Sequence, residues 1–174
     1  MNIKEQEEFN KKLIKYSKEG NLELVQHSIE QGADIHVQGD AALRVAANDN
    51  HIEVVKYLVK QGADIHAQDD GALRWAADEG CLEVVKYLVE QGADIYAQDD
   101  GTFKMAALNN RLEVLKYFLF DCCMKIQKDT KNWLIKNQKK EVLDLIEKRD
   151  LFNKINKDLN EINKKEINNK RIKL

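Results

Sequence analysis

Three carboxylates stand at a fixed spacing. Asp40, Asp70 and Asp100 lie 30 residues apart, and each is followed four residues later by a base, Arg44, Arg74 or Lys104. Two chemistries suit that arrangement. Acid before base at i, i+4 on a helix makes a local ion pair worth about 0.3–0.5 kcal/mol. In register, the bases would instead form a basic ladder facing an acidic partner. The local pair is the preferred expectation. His36 and His66 share a second register, as a metal pair would require. Equivalent positions in adjacent helical layers sit roughly 10 Å apart, against imidazole–metal bonds of about 2 Å, and Tyr96 breaks the series. The thiols Cys81, Cys122 and Cys123 are odd in number, and the N-terminal segment has no apolar core like that of a signal peptide. Free thiols in a reducing compartment are therefore expected. Cys81 opens a helix, where a thiol pKa can fall, but a small buried residue is the preferred role. The sequence holds no phosphate-binding glycine loop, nucleophile elbow or metal-ligand cluster. No catalytic residue, metal site or cofactor is expected.

The elements that must position these residues follow from the same spacing. Gln61 to Asp100 contains Gln-Gly-Ala-Asp-Ile-x-Ala-Gln-Asp-Asp twice at an offset of 30, and Ile52 to Val59 returns as Leu82 to Val89. Self-similarity at such a period marks stacked repeats. Within one unit, Asp70-Gly71 breaks regular structure and Asp70 is a candidate helix cap. Good helix formers run from Leu73 to Glu79, and Gly80 suits the left-handed stop. Leu82, Val85, Leu88 and Val89 share one face of a second helix, which Gly92 ends. Neither helix buries its stripe alone, so successive pairs must stack. The small pair Ala76-Ala77 permits close approach. Helix pairs are predicted near 41–61, 71–91 and 101–121, and Trp75 is expected to pack between neighbouring first helices.

At these residues the chain resembles the ankyrin repeat family. The match is Leu-x-x-Ala-Ala, then Gly-x-Leu-Glu-Val-Val-Lys-x-Leu and Gly-Ala-Asp-Ile, at Leu43 to Ile65, Leu73 to Ile95 and partially from Phe103. The resemblance implies an all-α solenoid of helix pairs with a recognition surface for other proteins. There are departures. The period is 30 rather than 33, which shortens the projecting turns. Gly71-Ala72-Leu73-Arg74 also stands where the family has Thr-Pro-Leu-His. A looser similarity, resting on turn length and on Leu73 to Ala77, is to the arrays of large DNA viruses of amoebae.

In chain order, residues 1–40 read as a capping unit whose first helix carries Lys11, Lys12, Lys15 and Lys18, with Asn21 as a cap. Residues 41–70 and 71–100 are the best units. Residues 101–130 begin well, with Asn110 in the glycine position, and degenerate at Asp121-Cys122-Cys123-Met124. Residues 131–150 keep a ghost of the pattern, with Trp133, Leu134 and Ile135 to cover the open end. Residues 151–174 are an Asn/Lys-rich tail with seven basic and three acidic residues, expected to be helical along Leu151, Ile155, Leu159 and Ile162 or disordered.

The composition, 43% hydrophobic and 33% charged, is that of an ordinary helical domain, and the net charge of −2 implies no general attraction to nucleic acid. No apolar run approaches the roughly 20 residues of a membrane span. The expected function is non-enzymatic binding of an unknown protein partner by an intracellular, cytoplasmic monomer, in a host cytoplasm if viral. No small-molecule substrate, nucleic acid or membrane is expected as a partner. Repeated cores encode the stack, so contacts should fall where units differ. Those positions are Asn48, Asp49, Asp78, Glu79, Leu108 and Asn109 at the first-helix ends and Gly39, Asp69 and Asp99 in the turns, with Arg44, Arg74 and Lys104 beside them. Two alternatives remain: the basic tail as a nucleic-acid or anionic-surface binder, and an adaptor role in a ubiquitin ligase assembly.

Overall fold

The computed structural model describes residues 3–171, with side chains throughout except at 162, 163 and 165–171. The opening pair is α1 (Ile3–Lys18) and α2 (Leu22–Glu30). Three further pairs follow: α3 (Val37–Asn48) with α4 (Ile52–Lys60), α5 (Ala67–Glu79) with α6 (Leu82–Glu90), and α7 (Ala97–Leu108) with α8 (Leu112–Lys116). A π-helical turn, Tyr117–Asp121, extends α8 where the repeat pattern fails. The chain ends in α9 (Lys128–Lys136) and the long α10 (Lys140–Arg171). No strand occurs among the described residues. First helices stack in the order α1, α3, α5, α7, α9 and second helices in the order α2, α4, α6, α8, the latter closed by α10. This is the expected solenoid of helix pairs.

One continuous core runs between the two rows. Leu13, Leu43, Leu73 and Phe103, spaced by the repeat, are fully buried from the first helices, and Val25, Val55, Val85 and Leu115 meet them from the second. The paired alanines at 46–47, 76–77 and 106–107 have no exposed surface, which lets the helices close up. Gly80 ends α5 in the left-handed region at φ 79°, as expected. A Cβ there would also come within 2.9 Å of Arg111 Cδ, so glycine answers both a conformational and a steric demand. Asn50 and Asn110 take the same place at φ 61° and 53°, and Asn21 caps α2 by accepting from Leu24 N at 3.1 Å.

Other expectations need correcting. Asp70 does not cap its own helix. Gln68, Asp69 and Asp70 form a left-handed turn, with φ of 57°, 54° and 53°, and the right-handed helix starts only after it. The same turn recurs at 38–40 and 98–100. It swings each aspartate inward, away from the base four residues on, so the local acid–base pairs do not form. Trp75 is not packed in the core either. It sits on the outer side of its helix with 36% of its surface exposed. At the C-terminal end Leu134 is buried and Trp133 half-buried, but Ile135 is 62% exposed and covers nothing. Beyond Arg149, α10 leaves the stack, and Leu151, Phe152, Ile155 and Leu159 are exposed. The backbone stays helical through Arg171, whereas the side chain of Ile162 lies outside the described residues.

Candidate functional site

Two polar seams hold the first helices in register. At their starts, the inward aspartates accept from the following unit: Asp40 Oδ1 from Asp64 N and Asp70 Oδ1 from Asp94 N, both at 2.9 Å. His36 and His66 bond the same oxygens through Nδ1 at 3.1 and 3.0 Å, so each imidazole serves its own aspartate rather than a shared ion. The column begins with Asn10, whose Oδ1 accepts from Asp34 N at 2.7 Å. It ends at Asp100, whose Oδ2 accepts from the Thr130 hydroxyl at 2.6 Å while Oδ1 is buried with no donor. At the far ends of the helices, backbone carbonyls that helix geometry leaves free are capped from the following unit. His51 Nε2 lies 2.9 Å from Lys18 O, Cys81 Sγ donates to Asn48 O at 3.5 Å, Arg111 Nε to Asp78 O at 2.7 Å and Lys139 Nζ to Leu108 O at 2.8 Å. Cys81 is thus a buried structural residue, and burial pushes its thiol pKa up rather than down.

Between the seams lies the exposed face of the first helices, where the three bases stand in a row. Their partners are turn carbonyls: Arg44 donates to Gly39 O at 3.2 Å and Gln38 O at 2.8 Å, Arg74 to Gln68 O at 3.3 Å and Lys104 to Asp99 O at 2.5 Å. The Arg44 guanidinium also lies 5.1 Å from the Trp75 ring centre, in cation–π range. It crosses over Gly71, where a Cβ would stand 2.8 Å from Arg44 Cδ.

At the opposite edge, Asn48 donates to Asp49 at 2.6 Å, Asn109 to Asp78 at 2.5 Å, and Arg111 pairs with Glu79 at 3.2 Å. Of the turn carboxylates, Asp69 accepts from Gln98 at 2.9 Å, and Asp99 is exposed. The sequence candidates therefore fall on one face, with Arg44, Arg74 and Lys104 beside the turn carboxylates Asp69 and Asp99 at one edge and an acidic edge opposite, several members also joining consecutive units.

Between the edges lies an apolar strip of which the sequence reading points only to Leu108. Val45, Trp75 and Met105 occupy one register of the 30-residue repeat. Trp75 and Met105 are each 36% exposed and Leu108 beside them 44%. Two recesses open on either side of Trp75 and Met105, one of about 240 Å³ toward Lys18, Asn48 and Asp78, the other of about 360 Å³ toward Lys104, Leu108 and Trp133. The register is visible in the sequence, but residue type alone points a large apolar side chain such as Trp75 to the core. Among the described residues, no three His, Cys, Asp or Glu side chains converge as metal ligands, and no helix is long and apolar enough to cross a membrane.

No curated protein gives a significant match. A family model of ankyrin repeats does match, in three copies over residues 13–99, which is half of the chain and runs from the second half of α1 through α6 to the first residues of α7. The chain belongs to the ankyrin repeat family.

Proposed function

We propose that this chain is a non-enzymatic interaction module that binds a protein partner through the exposed face of its first helices. Ankyrin repeats are generally protein–protein interaction modules. The observation that carries the choice of face is the wet apolar strip of Trp75, Met105 and Leu108 between two charged edges. Folded interfaces concentrate their energy in such aromatic and Met anchors and place charge at the rim. The second helices instead show solvent a mixture of charges, with Lys56–Glu53 and Lys116–Glu113 pairs. Asn48, Asp49, Asp78, Glu79 and Asn109 form one rim in this reading, and Arg44, Arg74 and Lys104 the other. The module acts as a monomer inside the cell.

The test is a pull-down from source-cell extract with three proteins of matched melting behaviour: wild type, Asp78→Lys with Glu79→Lys, and Glu83→Lys on the exposed side of α6. A change in capture of the same partner by the double variant alone, in either direction, supports this face. Loss from Glu83→Lys alone moves the site to the second helices.

A further inference from the structure

The larger recess has a chemistry that narrows the partner. Trp75, Met105, Leu108 and Trp133 give it apolar walls, and Arg74 and Lys104 stand in its lining. No carboxylate lines it; the nearest bonded one is Asp69, which accepts from the lining residue Gln98 at 2.9 Å and is itself engaged there. Among the described residues, neither base belongs to any ion pair. Lys104 bonds a neutral carbonyl, Asp99 O. Arg74 holds a single turn carbonyl at 3.3 Å, where Arg44 holds two. A cation held only by neutral dipoles keeps its charge for a third party. The smaller recess differs: Asp49 and Asp78 line it.

We infer that the recess between Trp75 and Trp133 takes an apolar side chain, aromatic or leucine-sized, from a partner segment that carries carboxylates beside that anchor. The inference rests on the first-helix face being the binding face. The anchor enters between Trp75, Met105 and Leu108, and the flanking carboxylates meet Arg74 and Lys104. Asp78 and Asp49 repel the same carboxylates from the neighbouring recess, so the charge pattern sets the direction in which the segment lies. A nucleic acid suits the face less, because its repeating phosphates would run onto those aspartates.

The experiment uses the full chain and its own fluorescence, since its two tryptophans both line the recess. Three twelve-residue peptides serve as probes: one phenylalanine flanked by glutamates, the same peptide with alanine for phenylalanine, and the same peptide with lysines for glutamates. The acidic phenylalanine peptide should shift the emission saturably, and the other two should bind at least about tenfold more weakly, with the difference shrinking as salt rises. Lys104→Glu should reverse the preference between the acidic and basic peptides. Leu108→Glu, a second exposed position, should weaken the acidic peptide without unfolding the stack, as circular dichroism would check.

Equal binding of the basic peptide, unchanged emission with the acidic one, or saturation by an oligouridylate instead would overturn the assignment. So would a concentration-dependent dimer that hides both tryptophans, seen by sedimentation. If the acidic peptide fails while the extract partner still responds to the double variant at Asp78 and Glu79, the recess assignment falls and the binding face stands. If the partner ignores both, both fall.

Discussion

Asp70 is the sharpest place to test how the stack is held. Replacing it with alanine removes the acceptor for Asp94 N at 2.9 Å and for His66 Nδ1 at 3.0 Å. A buried hydrogen bond to a charged group contributes about 1.5–3 kcal/mol. The half-exposed histidine contact adds no more than about 1 kcal/mol. Alanine must also hold φ 53°, ψ 41°, which costs a residue with a Cβ about 1–2 kcal/mol unless a short polar side chain supports it. Asp70→Ala should therefore lose about 3–5 kcal/mol, and at about 2–4 °C per kcal/mol for a chain of this size the melting temperature should fall by about 6–20 °C. Asp70→Asn keeps both an acceptor oxygen and a residue at ease in the left-handed region, so its loss should be near 1 kcal/mol. Asp100→Asn is the control. Its Oδ1 is buried without a donor, so replacing the carboxylate there should be neutral or stabilising. Urea unfolding followed by circular dichroism measures all three. A cost under about 1 kcal/mol for Asp70→Ala, or one for Asp100→Asn equal to it, would refute the seam as the source of register.

Trp75→Ala should cost about 2–3 kcal/mol, because the residue is 36% exposed, rather than the roughly 3–5 of a core tryptophan, as thermal melts would show. Arg44→Ala should destabilise more than Arg74→Ala, since Arg44 holds two turn carbonyls and the Trp75 face against one carbonyl for Arg74. Paired melts would decide, and the reverse order would contradict the bonding described. Toward Ellman's reagent at pH 8, exposed Cys123 should react first and Cys81 last, because burial both covers the Cys81 thiol and raises its pKa. Truncation after Asp150 should leave the melting temperature within about 2 °C, since Leu151, Phe152, Ile155 and Leu159 touch little of the stack. A large drop would show that the projecting half of α10 packs.

The stack was legible because its signals are periodic and local. Leu73, Ala76 and Ala77 mark the buried side of one helix, Val85 and Leu88 that of the next, and Gly80 and Asn110 the places where the backbone must turn left. Trp75 was legible too and was misread: two positions after Leu73, it falls about 200° around the helix, on the opposite side. The seams were harder to see. Nothing in Gln68-Asp69-Asp70 announces three consecutive left-handed residues, since only glycine adopts that region without cost. The direction of the aspartates, and hence the loss of the local ion pairs, depends on that turn. Thr130 continues the 30-residue column below Asp100, but its match is to a position and not to a residue type. The row of bases was found with the wrong partners, because spacing reports proximity along a helix and not which acceptor wins.

The column from Asn10 to Thr130 gives the chain a grammar. Each acceptor awaits a backbone donor 24 residues further on, so every clause is completed by the one after it and never by the one before. Thr130 donates where its predecessors accept, and so acts as a full stop. A further copy of residues 71–100 inserted after Asp100 brings both a donor for the waiting oxygen and a new acceptor to hand on, while residues joined after Thr130 meet no carboxylate in that column. Such a chain lengthens by duplication from within, between two fixed ends, and a change in the number of its clauses leaves its first and last words untouched.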